Sequence, residues 1–435
     1  MPSAAPERTT RTARRETPRR ATISGARARV GRVGTLLTNG ALLSIGVITS
    51  VTISRALGPS GRGEYVTWQT WATTLGILAL GGLPQVLVLD DRSRGRHTLG
   101  EVLRALAVTL CVGVVMVAVL SALWRPHWVV LVASILVVTA TQFGSIGPSE
   151  AQRMGRMGME FNAARVTPQL AALLAMTGLL LAGPRSVSVW LLTIASLQAV
   201  AVIVWVVLAT ERGTVPGTST GRTLKHSLRL TPGNIVTFTQ YRLDLLVVTA
   251  LFSHETVAFY AIGLAAQNAV LAAGQSYGMN WFARRGSEFS DRHRALRREL
   301  RKVVVMTLAI AVPLAASSAL WVTGLYGTGF SPAVSVVAVL CFVGIAQSLD
   351  YLLAHECLMS GRGSRIALYR MPSLTMLIIG FGAVGLLGWP IHVAALIPGL
   401  SYLLSSAVFL VLSRSAVNQA AESGEATTAT ADHHR

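Results

Sequence analysis

Two ionisable residues, Arg242 and Asp244, stand two positions apart inside an apolar run of this 435-residue chain. A charge at the centre of a bilayer costs roughly 3 kcal/mol, so such residues face a partner helix or a water-filled cavity. Helix positions two apart do not face each other, so each needs its own partner. Counting about 1.5 Å per residue from Pro232 puts Arg242 about 15 Å along the span, near the bilayer midplane. An interhelical lock and a cavity wall both explain the pair; cavity lining is the default reading for intramembrane charge.

Further polar residues recur at helical spacing. Arg165 shares a face with Asn162 and Gln169, whereas Arg104 is close enough to a membrane face to snorkel out. Gln267, Asn268 and Gln275 are seven or eight positions apart, one stripe of one helix, with Gly263, Gly274 and Gly278 in the same run. The stripe suits either polar glue between helices or a wall that binds sugars. Gln347, Asp350, Tyr351, His355 and Glu356 share a later span; a carboxylate near a histidine suits proton coupling or a gate. Pro84, in the run GGLP, predicts a bend because proline removes a helix hydrogen bond.

The elements that must position these residues are membrane spans. The chain is 52% hydrophobic and only 13% charged, about half the charge of an ordinary soluble domain. About twelve stretches are long enough to cross a bilayer: 34–57, 65–89, 99–123, 127–147, 160–182, 187–210, 232–252, 257–281, 302–324, 333–357, 366–387 and 391–413. With the N-terminus placed in the cytoplasm, 31 of the 38 Lys and Arg fall in cytoplasmic segments and three, including Arg62, in outer loops. That asymmetry predicts cytoplasmic termini and a multi-pass inner or plasma membrane protein. The net charge of +19 is thus a topology signal, not a nucleic-acid footprint. Residues 1–33 are read as a basic, disordered tail near anionic lipid headgroups, 211–231 as a cytoplasmic linker and 414–435 as a second disordered tail.

Cys111, Cys341 and Cys357 lie in apolar runs without metal-ligand spacing. No metal and no cofactor is expected. No nucleophile elbow, phosphate loop or zinc motif stands in an aqueous loop, and the short outer loops leave no room for a catalytic site. The chain is read as a non-enzyme.

Asn39 precedes Tyr65 by 26 residues and Asn234 precedes Tyr260 by the same interval, a hint of two six-helix halves, 34–210 and 232–413, in parallel repeat. Several stretches carry a likeness: SRALGPSGRGEY at Ser54 to Tyr65, GLP at Gly82 to Pro84, YRLDLLVVTALFSHETVAFYAIG at Tyr241 to Gly263, LYGTGFSPAVSVVAVL at Leu325 to Leu340, and LMSGRGS at Leu358 to Ser364. In that order they resemble the polysaccharide-export flippases, the O-antigen and teichoic-acid translocases of the multidrug/oligosaccharidyl-lipid/polysaccharide (MOP) exporter superfamily.

The resemblance implies an all-α integral membrane fold with two six-helix lobes around a cavity that opens alternately to either side. It implies export of an undecaprenyl-diphosphate-linked oligosaccharide repeat unit to the outer leaflet, in cell-surface polysaccharide biosynthesis. Arg55 matches the basic residue before the family's Leu-Gly-Pro turn, and Arg242 and Asp244 match a polar pair of helix seven. The additional arginines of helices one and two in the related peptidoglycan-precursor flippases are absent, as are that branch's two extra helices. The expected substrate-binding set is therefore Asn39, Arg55, Arg165, Arg242, Asp244, Gln267, Asn268 and Gln275. Asp350, His355, Glu356 and Pro84 form the expected coupling and gating set, with H⁺ or Na⁺ as coupling ion. A drug exporter of the same fold and a non-transporting scaffold for polysaccharide enzymes are the alternatives. The loop at Asp90 to His97 departs from the major-facilitator pattern by one residue and a missing glycine.

Overall fold

The computed structural model describes residues 18–94, 99–153, 158–183, 186–209, 220–284, 292–359 and 366–412. They form α1 (Pro18–Leu80), α2 (Leu83–Arg94), α3 (Leu99–Trp124), α4 (Trp128–Arg153), α5 (Met159–Ala182), α6 (Val187–Ala209), α7 (Thr220–Leu251), α8 (His254–Arg284), α9 (Arg292–Ala316), α10 (Ser318–Tyr326), α11 (Ala333–Met359), α12 (Ile366–Leu387) and α13 (Ile391–Leu412). A 3₁₀ turn, Thr328–Phe330, joins α10 to α11. No strand occurs among the described residues.

Among the described residues, nine helices are long and apolar enough to cross a bilayer, or ten when α9 and α10 count as one broken span. Two features reconcile this with about twelve expected spans. First, α1 is two spans: Gly58 breaks it with φ +69° and Pro59 follows. Proline disfavours the helical region for its predecessor, and only glycine takes that positive φ freely. Second, α7 falls short on hydropathy because it carries polar and charged residues throughout its 32 positions.

Several boundaries differ from the sequence reading. The second arm of α1 begins at Pro59, not at residue 65, so Arg62 is helical rather than in a loop. That arm ends at Leu80, where Gly81 takes φ +57°. The bend expected from Pro84 is thus made by Gly81 and Gly82, with Pro84 at the second position of α2, where a missing N–H costs little. The expected span 302–324 is broken between α9 and α10 by a 63° bend. Pro313 cannot continue the ladder, and the Ser317 and Ser318 hydroxyls donate to the carbonyls of Pro313 and Ala315 at 2.7 and 2.6 Å. The expected linker is helical from Thr220, and α1 takes in the basic tail from Pro18. Residues 1–17 and 413–435 lie outside the described residues.

The buried apolar side chains separate by chain half. One cluster joins α1 with α3, α4, α5 and α6 around Tyr65, Val138, Met176 and Trp190. Others join α7, α8, α11, α12 and α13 around Val248, Tyr260 and Phe381, and α8 to α11 around Ile262, Tyr326 and Phe330. Outward leucines such as Leu181, Leu320 and Leu386 are 79–89% exposed, as lipid-facing positions require. The α8–α11 pair packs closely at glycines: a Cβ at Gly274 would stand 2.5 Å from the Ser348 side chain, and one at Gly263 2.6 Å from that of Leu340. Small residues at that spacing are how helices associate without a hydrophobic driving force.

Candidate functional site: a polar cavity between the two halves

A cavity of about 1020 Å³ lies between the two sets of helices and takes its walls from both. From the first half come both arms of α1, together with α4, α5 and α6; from the second come α7, α8 and α11. The second arm of α1 contributes Arg62, Tyr65, Gln69, Thr70, Thr73 and Thr74, a polar stripe at three- and four-residue spacing. Gln169 and Gln198 face it from α5 and α6. The lining is thus rich in amide and hydroxyl groups.

Of the expected substrate-binding set, Arg165, Arg242, Asp244, Gln267, Asn268 and Gln275 all line this cavity. Arg165 donates to Asn39 Oδ1 at 2.9 Å and lies over the Phe161 ring, which orients a guanidinium whose fork has five N–H donors. Arg242 is exposed to the cavity. Among the described residues no ion pair joins it to Asp244. Asp244 instead accepts from the Tyr260 hydroxyl at 2.9 Å and from the Leu245 amide at 2.7 Å. Gln267 donates to Gln347, which donates to the Tyr402 hydroxyl, at 2.9 and 3.1 Å.

Arg55 is placed elsewhere. Its guanidinium donates to the carbonyls of Leu325 and Gly324 at 2.6 and 2.7 Å, at the C-terminal end of α10. There it answers the unpaired carbonyls and partial negative charge of a helix end.

The expected coupling residues also lie outside the cavity lining. Asp350 is fully buried and ion-paired to Arg370 at 2.8 Å, with further bonds from Ser405 and Tyr241. The charge count had set Arg370 in a loop; it is a buried member of α12 instead, only 2% exposed. His355 does not partner Asp350: its Nδ1 meets the Tyr351 carbonyl at 2.9 Å and its ring lies against that tyrosine. Glu356 is buried one residue further on. Among the described residues no group of three or more His, Cys, Asp or Glu could hold a metal ion.

The main residue missed from sequence is Arg62. It is 5% exposed, lines the cavity, and donates to the Ser50 carbonyl and to the hydroxyls of Ser50 and Ser54. The available signal was its place in the stripe with Tyr65, Gln69 and Thr73, hidden by reading Gly58 to Glu64 as a loop.

The cavity is bracketed by two seams between the halves, both on α1. At one, Gly63 packs on the His254 carbonyl, the Ser50 hydroxyl meets Tyr326 OH at 2.9 Å, and Pro59 packs against Gly329. At the other, Gly81 and Gly82 pack against Ser227, Leu230 and Thr231 of α7. Eighteen residues of helix separate Gly63 from Gly81, about 27 Å, close to the thickness of a hydrocarbon core.

No family model and no curated protein sequence matches the chain. Solved structures do. The chain is similar to the lipid II flippase MurJ in an inward closed conformation, with TM-score 0.69, 11% identity, and 88% of this chain and 87% of that one covered. It is also similar to a multidrug resistance MATE family transporter of the MOP superfamily. The outward-facing form gives TM-score 0.56 at 12% identity, covering 93% and 97%, and the inward-facing form 0.54 at 13%, covering 86% and 94%. The fold is that of MOP superfamily proteins.

Proposed function

We propose that this protein is a transporter that moves an anionic amphiphile, a polyprenyl-diphosphate-linked oligosaccharide, between the leaflets of a cell membrane by alternating access. One observation carries the reading: the cavity presents three guanidiniums, Arg62, Arg165 and Arg242, against one carboxylate, Asp244, already bonded to a tyrosine and an amide. An excess of cation in a low-dielectric chamber is stable only when an anion supplies the balance. A diphosphate does so, and arginine forks fit phosphate oxygens. The amides and hydroxyls along α1, α5, α6 and α8 offer partners for sugar hydroxyls, while the polyprenyl chain stays in lipid.

The volume, at the top of the usual range of about 300–1,000 Å³ for ligand pockets, accepts a headgroup of several sugar rings. The two seams supply the alternation, each closing one face while the other parts. Likeness to a lipid II flippase agrees with this assignment; likeness to a MATE family transporter supports the second reading of a drug exporter. The cavity charge separates the two, because a cationic drug meets repulsion here.

The test is transfer of a fluorescent polyprenyl-diphosphate oligosaccharide across proteoliposomes, read by quenching from outside. Transfer by the wild-type protein, reduced at least roughly tenfold by Arg242→Gln, supports the assignment. Export of a lipophilic cation, with no transfer of the lipid-linked sugar, moves the protein to the drug-exporter class.

A further inference from the structure

The arginine at the Gly63 seam is held unlike the other two. Arg62 is nearly fully buried, yet all its bonds go to neutral acceptors: the Ser50 carbonyl and the Ser50 and Ser54 hydroxyls. Its remaining neighbour is the face of Tyr326, 5.5 Å away. No carboxylate pairs with it among the described residues, and its Nε–H has no acceptor. On the same cavity wall, next in the chain to the Ser50 that Arg62 bonds, Thr49 Oγ1 also lacks a partner. A buried cation and two unmet polar groups at one end of a chamber mark a place that an oxyanion completes.

The position along α1 matters as much as the charge. Arg165 is tied to Asn39, and Arg62 to Ser50, eleven residues further along the same helix. That is about 16 Å of rise, half the bilayer, so the two guanidiniums serve opposite ends of the cavity. Ser50 is also the residue whose hydroxyl bridges to Tyr326 across the seam. An anion that takes Arg62 therefore competes for the same few atoms that hold the seam shut.

We infer that Arg62, with Thr49, forms a second oxyanion subsite at the seam end of the cavity, whose occupation by a diphosphate loosens the Ser50–Tyr326 latch. This rests on the cavity carrying an anionic headgroup and adds where that headgroup goes and what its arrival does. Arg62 acts on the seam through its bond to Ser50 and through the Tyr326 ring it lies against.

The test uses full-length protein in nanodiscs, with Cys111, Cys341 and Cys357 replaced by Ser and a reporter pair, Pro59→Cys and Gly329→Cys, across the seam. The rate of bridging by a short bis-thiol reagent reports closure. Undecaprenyl diphosphate is the probe and undecaprenol the uncharged control, with probe binding measured in parallel. The diphosphate slows bridging severalfold and undecaprenol does not; Arg62→Gln and Thr49→Val blunt the response while still binding the probe, and Arg62→Lys restores part of it. A merely structural Arg62 would not be rescued by lysine. An Arg62→Gln protein that responds as wild type overturns the subsite, as does a wild type that binds the diphosphate without any change in bridging. Absence of diphosphate binding to wild type instead removes the transport reading on which the subsite rests.

Discussion

Gly63 of α1 rests on the backbone carbonyl of His254, so closely that a Cβ at position 63 would stand 1.6 Å from that oxygen. Backbone cannot yield as a side-chain tip can, so Gly63→Ala forces this seam apart. Overpacking costs about 1–3 kcal/mol, which shifts a two-state equilibrium roughly 5- to 150-fold. The expected result is faster labelling of Ile53→Cys, a buried cavity position, by an impermeant maleimide added on that face. Unchanged labelling in Gly63→Ala would mean the seam does not gate the cavity.

The opposite seam predicts the opposite bias. A Cβ at Gly82 would meet the Ser227 carbonyl at 2.8 Å and Leu230 Cβ at 2.7 Å. Gly82→Ala should therefore raise labelling of Gln169→Cys from the other face and lower that of Ile53→Cys. If both variants open the same face, the pair of seams is not reciprocal and alternating access needs another hinge.

Much of this arrangement was legible from the residues themselves. Intramembrane Arg242 and Asp244 and the stripe of Gln267, Asn268 and Gln275 pointed to the wall that lines the cavity, because polar residues in lipid need a wet or polar face. Arg62 and Arg370 escaped notice for one reason. Counting positive charge assigns arginines near span ends to water, and both instead turn inward to partners distant in sequence: Tyr326, and Asp350 with Tyr241. The break between α9 and α10 was likewise hidden, since hydropathy does not register a proline followed by serine hydroxyls that bond carbonyls of the last turn of α9.

The Asp350–Arg370 pair should govern stability. Removing one member of a buried pair strands the other charge, at about 3–5 kcal/mol, whereas replacing both with apolar residues is far milder. Arg370→Met is expected to lower the thermal midpoint in detergent sharply, and Asp350→Leu combined with Arg370→Met to recover most of it. Tyr241, which bonds both, also lines the cavity, so the double variant is the cleaner background for transport measurements. Equal losses in single and double variants would show that the pair is not energetically coupled.

That internal neutralisation narrows the choice of coupling group. Asp350 already has a resident cation in Arg370, so a proton or sodium ion arriving there must displace a guanidinium from a fully buried site. Asp244 stands differently: it lines the cavity, and its bonds come from a hydroxyl and an amide, with no ion pair among the described residues. An added cation there meets an unneutralised carboxylate within reach of the chamber. Asp244→Asn keeps an acceptor for the Leu245 amide and turns its NH₂ toward the Tyr260 hydroxyl, which can accept instead of donate, so it should preserve the fold while removing the charge. In proteoliposomes with an imposed pH or sodium gradient, wild-type transfer should depend on the gradient, and Asp244→Asn transfer should not. Retention of full gradient dependence in Asp244→Asn, with loss in a stable Asp350 variant, would relocate coupling to the buried pair.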